Sequence, residues 1–143
     1  MQIRHNVFET NSSSSHSFTC NIETEGRLDV LNPDKMGNII LNGGDFSKFE
    51  FYISDALQKA NAIAAYCYVT GNDQVQKMLE DVLKKQTGAE HIVVNIRLQG
   101  PDRNTYVSSK FLSYISEATG SMRDIKNFVF NPDSEISAVV GYD

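Results

Sequence analysis

Four consecutive serines, Ser12–Ser15, stand between two short apolar stretches near the start of the chain. Asn11 precedes them, His16 follows at once, and Arg4 and His5 lie just upstream. These residue types suit an anion. A turn rich in backbone N–H groups and hydroxyls can gather donors around a negative charge, and arginine or histidine adds charge-assisted donors at its rim. Asn11 is suited to hold such a turn by an Asx-type hydrogen bond. The candidate ligand-binding set is therefore Arg4, His5, Asn11, Ser12, Ser13, Ser14, Ser15 and His16. Phosphate, or a ligand that carries it, is the matching chemistry.

Two plainer uses of the tract stand beside this one. Serine hydroxyls compete for backbone partners and bury little, so the run also serves as a solvated connector between strands. Phosphorylation of the same hydroxyls would add about two negative charges per site. The tract is not a P-loop, because it lacks the glycine spacing and no Gly-Lys-Ser/Thr follows. Nor does it form a nucleophile elbow, since no G-x-S-x-G occurs and neighbouring strand residues such as Ser15 and His16 point to opposite faces. His5, His16, His91, Cys20 and Cys67 show no HxH, HxxxH or CxxC spacing, so no metal site and no cofactor is expected.

The elements that must position these residues follow from hydrophobic periodicity. "QIRHNVF" and "HSFTCNI" alternate as strands on either side of the serine tract. "RLDVL" is a third strand candidate, and "NIIL" with "FSKFEFYI" flanks Asn42-Gly43-Gly44-Asp45, which reads as a hairpin turn. Ile53, Ala56, Leu57, Ala60, Ile63, Ala64 and Cys67 then recur at helical steps, up to Gly71. A second helix runs from Asn72 or Asp73 to about Gln86, its stripe formed by Val75, Met78, Leu79, Val82 and Leu83. "HIVVNIRL" reads as an inner strand because Val93 is apolar on the second face. Two short helices, Ser108–Ala118 and one opened by Ser121, precede a last strand, "EISAVVGY". Tyr66 and Tyr68 fall partly off the helical stripe and are candidates either for the core or for a partner-facing surface, whereas Phe49 and Phe51 are expected in the core. The expected fold is a single α+β domain over residues 1–143: a mostly antiparallel sheet with a central pair of helices and two short C-terminal helices packed on it.

Composition narrows the function. The 143 residues carry 41% hydrophobic and 22% charged side chains, enough for one moderate core. The net charge is −5, from 18 acidic and 13 basic residues, which opposes non-specific binding to nucleic acid. No leader and no apolar run of about 20 residues is seen, so a cytoplasmic protein without a membrane span is expected.

"MQIRHNVFETNSSSSHSF" resembles the start of a group of uncharacterised bacterial and bacteriophage proteins. The matching positions are Arg4, Phe8, Thr10, Asn11, Ser12, Ser13, Ser14, Ser15 and Phe18, and "NFVFNPDSEI" is similar to the ends of some members. The resemblance implies a microbial or phage origin and a cytoplasmic setting, and it transfers no catalytic residue. Two functions remain open. One is an accessory binding module that uses the serine-rich loop for a host protein or a phosphate-bearing small molecule. The other is an enzyme acting on a nucleotide or phosphoester, the loop cradling phosphate and His5 or His16 acting as general acid/base. The absence of a recognisable catalytic constellation favours the first.

Overall fold

A computed structural model describes residues 4–9, 15–21, 28–43, 45–46, 50–96, 106–107 and 109–139, with side chains over 28–43, 53–96 and 109–134. The strands are β1 (Arg4–Glu9), β2 (Ser15–Asn21), β3 (Asn38–Asn42), β4 (Asp45–Phe46), β5 (Glu50–Ile53), β6 (His91–Asn95), β7 (Tyr106–Val107) and β8 (Glu135–Val139). The helices are α1 (Ala56–Thr70), α2 (Asp73–Thr87), α3 (Ser109–Ala118) and α4 (Met122–Phe130).

The helices begin and end where local chemistry dictates. Asp55 caps α1 by accepting from the Gln58 N–H at 2.7 Å, and Gln58 reaches back to accept from Ser54 at 3.3 Å. Gly71 ends α1 and Gly88 ends α2, both in the left-handed conformation that glycine adopts without strain. Asn72, rather than Asp73, caps α2, accepting from the Val75 N–H. Ser121 caps α4 through the Asp124 N–H.

Helix α1 is the hub. Its middle is buried on every side, from Ala60 through Ala62, Ile63, Ala64, Ala65 and Tyr66 to Cys67. A helix apolar all round belongs inside a fold, and its alanines let neighbours approach closely. It touches α2, α3, α4, β3 and β7. Tyr66 is therefore core, whereas Tyr68 is exposed. Leu57, expected on the buried stripe, is also exposed. Leu79 and Leu83 of α2, Phe111 and Ile115 of α3, and Ile125 and Phe128 of α4 complete the core, each with no exposed surface.

The class is α+β, but the expected mostly antiparallel sheet beneath the helices is overturned. Among the described residues the strands fall into three sheets, and the one that packs on both α1 and α2 is a two-stranded parallel ladder of β3 and β6. Its register sets Asn38 opposite His91 and Asn42 opposite Asn95. Parallel partners require a crossover, and the helical pair supplies it. Among the described residues β3 pairs with neither β4 nor β5, so the hairpin expected across Asn42–Asp45 is not seen. The Asn42 N–H instead donates to Asn61 Oδ1 of α1 at 3.0 Å, and its side-chain oxygen accepts from Asn95 Nδ2 at 3.2 Å. Strand β4 pairs in parallel with β7, and β5 joins β8 in a four-stranded sheet ordered β1-β2-β8-β5.

Strand β6 is not an inner strand, because among the described residues β3 is its one ladder partner, and Val93 and Val94 are both substantially exposed. Nor is Leu28–Leu31 a strand. It has no regular secondary structure and is tied to the end of α4 by Asp29 N–H donating to the Phe130 carbonyl at 2.7 Å. Among the described residues no helix is long and apolar enough to cross a membrane.

A buried polar knot links the helices to the four-stranded sheet. Lys59 of α1 has no exposed surface, and its Nζ donates to the Asn131 carbonyl at 2.8 Å. The Ser134 N–H donates to that same carbonyl at 3.0 Å, and the Asp133 N–H to Asn131 Oδ1 at 2.9 Å. Asn131 and Ser134 are themselves fully buried. The turn from α4 into β8 is thereby fixed to the first turn of α1.

Candidate functional site

The serine-rich site rests on the β1–β2 hairpin. Of its eight residues, Arg4 and His5 open β1, and Ser15 and His16 open β2. Asn11, Ser12, Ser13 and Ser14 lie outside the described residues. The aromatic group near the glycines is likewise beyond side-chain description: Phe49 lies outside the described residues, and Phe46, Phe51 and Tyr52 are placed by backbone alone.

Strand β2 is held on both flanks. It pairs antiparallel with β1 and with β8, Ser15 opposite Val139 and His16 opposite Ala138. The ladder between β1 and β2 sets Glu9 opposite Ser17, so the connection carrying the serines leaves from the same end of the sheet as Ser15 and His16. Arg4 and His5 sit at the other end, opposite Asn21 and Cys20, with a register shift between His5 and Phe8. Cys20 is four residues along β2 from His16, about 13 Å at 3.3 Å per residue. The hairpin thus brings His16 together with Ser15 at the loop end, and it sets His5 beside Cys20 rather than beside His16.

Two further surface features involve side chains that sequence reasoning did not single out as a site. A depression of about 200 Å³ between α1, α2 and β6 is lined by Ala64, Cys67, Tyr68, Asp73, Gln76, Glu80 and Val94. Burial, with Asp73 and Glu80 adding negative charge nearby, pushes the Cys67 thiol from 9.0 up to about 12. A thiol held that far from ionisation is a structural cysteine, not a nucleophile. Glu80 accepts a hydrogen bond from Gln76 at 3.0 Å. Among the described residues no three His, Cys, Asp or Glu side chains converge as metal ligands would.

The second feature is a groove of about 310 Å³ between α2 and α4, lined among the described residues by Val82, Lys85, Gln86, Met122, Arg123 and Lys126. The sequence offered one trace of it, the basic pair Lys84–Lys85. Of that pair only Lys85 lines the groove, and Arg123 and Lys126 join it when α4 packs on α2.

Comparison with known proteins gives no match at a significant level to any family model, curated protein or solved structure.

Proposed function

We propose that this chain is a small binding module that engages a protein or a phosphorylated ligand through the serine-rich connection of its N-terminal hairpin, without catalysing a reaction. The observation that supports this reading is the placement of β2 between β1 and β8. Ladders on both flanks give the hydroxyl-rich connection a firm base, and function commonly sits on loops that a rigid scaffold holds. The base is tied to α1 through β8 and the Lys59–Asn131 knot. A phosphate-bearing ligand fits hydroxyl and N–H donors with His16 at the foot of the connection. The alternative enzyme draws support from His16 alone, since His5 is paired at the far end of the hairpin. The microbial or phage origin and the cytoplasmic setting follow from the N-terminal resemblance and belong to the same proposal.

The test replaces Ser12, Ser13, Ser14 and Ser15 together with alanine. Millimolar phosphate, sulfate or nucleotide is expected to raise the melting temperature of the wild type by mass action, and the alanine variant loses the rise while melting normally when free. A host protein retained by immobilised wild type and lost by the variant supports the same site for a protein ligand. Ligand binding that survives the substitution overturns the proposal. So does unfolding of the free variant, which would make the hydroxyls architectural.

A further inference from the structure

The groove between α2 and α4 sits apart from the hairpin site and has a chemistry of its own. Its described lining carries three positive charges, Lys85, Arg123 and Lys126, and no carboxylate, on a chain whose net charge is −5. All three cations are exposed. Its base is apolar: Val82 is buried beneath it, and Met122 lies on its wall with 40% of its surface exposed. The methylene stems of lysine and arginine extend that apolar surface while their heads stay in water. Methionine adapts its shape to whatever covers it. The groove also opens at the first turn of α4, where the positive helix dipole is partly offset by the Asp124 carboxylate, so the attraction for an anion rests on the three cations.

These features discriminate between anions. Inorganic phosphate gains nothing from Val82 and Met122. A nucleic acid gains from cations in proportion to the phosphates neutralised, and three cations on an acidic protein make a short footprint. An acidic polypeptide uses both halves of the surface. The volume, at the low end of about 300–1,000 Å³ for ligand sites, suits one bulky side chain with charged neighbours.

We propose that the α2–α4 groove docks a short acidic segment of a partner protein. One apolar side chain of the segment rests on Val82 and Met122, and the flanking carboxylates pair with Lys85, Arg123 and Lys126. Arginine is over-represented among residues that anchor such contacts, so Arg123 is the expected main anchor.

The experiment is fluorescence anisotropy with a fluorescein-labelled peptide of Glu and Asp residues around a central Phe-Leu pair. Saturable binding to the wild type is expected, weakening as salt rises. Reversal of two charges, Lys85→Glu with Arg123→Glu, is expected to weaken it at least about tenfold, since each exposed pair contributes modestly and reversal adds repulsion. Met122→Ser, or replacing the Phe-Leu pair by Gly-Ser, weakens it by a similar factor. All the substituted positions are exposed, and circular dichroism melting checks that each variant folds like the wild type. No binding at millimolar peptide overturns the proposal, as does binding indifferent to charge reversal. Equal or tighter binding of a single-stranded oligonucleotide of the same charge overturns it in favour of nucleic acid. The variant with Ser12–Ser15 replaced by alanine is expected to bind this peptide normally, so failure of the groove and failure of the hairpin site are told apart.

Discussion

Lys59 is the residue whose substitution best tests how the fold supports the hairpin. It occupies a core position with no exposed surface, donates to the Asn131 carbonyl at 2.8 Å, and sets its ammonium 6.0 Å from the centre of the Phe128 ring. Two replacements separate its stem from its head. Lys59→Met keeps a chain of similar length and discards the ammonium. Lys59→Ala discards both. Because the two variants lose every contact of the ammonium alike, their difference reports the packed stem: three heavy-atom groups (a methylene, the sulfur and a methyl) at about 0.8 kcal/mol each, or about 2.4 kcal/mol, before any cavity cost. The methionine variant against wild type reports the head, where a hydrogen bond from a charged donor is worth about 1.5–3 kcal/mol and the relief of burying a charge offsets part of that. The Asn131 carbonyl keeps its Ser134 N–H partner in both variants, so it is not orphaned. The expected losses are about 1–2 kcal/mol for Lys59→Met and about 4 kcal/mol for Lys59→Ala. At about 2–4 °C per kcal/mol for a chain of this size, the alanine variant melts roughly 10 °C lower. Equilibrium urea unfolding measures both. Equal losses in the two variants would refute the packed stem. A wild-type-like alanine variant would refute the knot altogether.

Cys67 and the glycines give two more checks. In a Cys20→Ser background, Cys67 is expected to resist a thiol-specific disulfide reagent at pH 8 in the native state and to react fully in urea, because its thiol is held up to about 12. The folded state keeps the proton that the unfolded thiol gives up, so this contribution to stability is complete below about pH 9 and is lost as pH rises from there through about 12. Rapid native labelling would contradict the burial. Gly37 and Gly71 both have positive φ, 81° and 69°, but a Cβ at Gly37 would stand 3.1 Å from Glu90 Cγ, whereas none would be met at Gly71. Gly71→Ala is expected to cost about 1 kcal/mol from backbone strain alone, and Gly37→Ala about 2 kcal/mol or more. Equal melting temperatures for the two variants would show that Glu90 yields freely.

What the sequence reveals depends on how local the signal is. The four helices were readable because period and caps are written within a few residues: Gly71 and Gly88 stop α1 and α2, and Ser121 starts α4. Strand partners are not written locally. "NIIL" before Asn42-Gly43 satisfies every rule for a hairpin, yet β3 finds β6 on the far side of two helices. Lys59 lies three residues after Ala56 and four before Ile63, and so beside the helical stripe. A polar residue beside a buried stripe is a signal that a partner waits in the core, here the Asn131 carbonyl. The α2–α4 groove was hidden for the opposite reason, since its charges belong to two helices that meet only in the folded protein.

The parallel ladder of β3 and β6 also sets an order of assembly. Asn42 and Asn95, which it joins, are 53 residues apart in the chain. Closing so long a loop costs entropy before any ladder bond offsets it, whereas α1 and α2 meet across the short turn at Gly71 and Asn72. Loop entropy therefore favours formation of the helical hairpin first, with the two-stranded ribbon zipping onto it afterwards, an order that pulsed amide exchange during refolding would check. A ribbon that closes late would leave the edges of β3 and β6 open to other chains while the protein is being made.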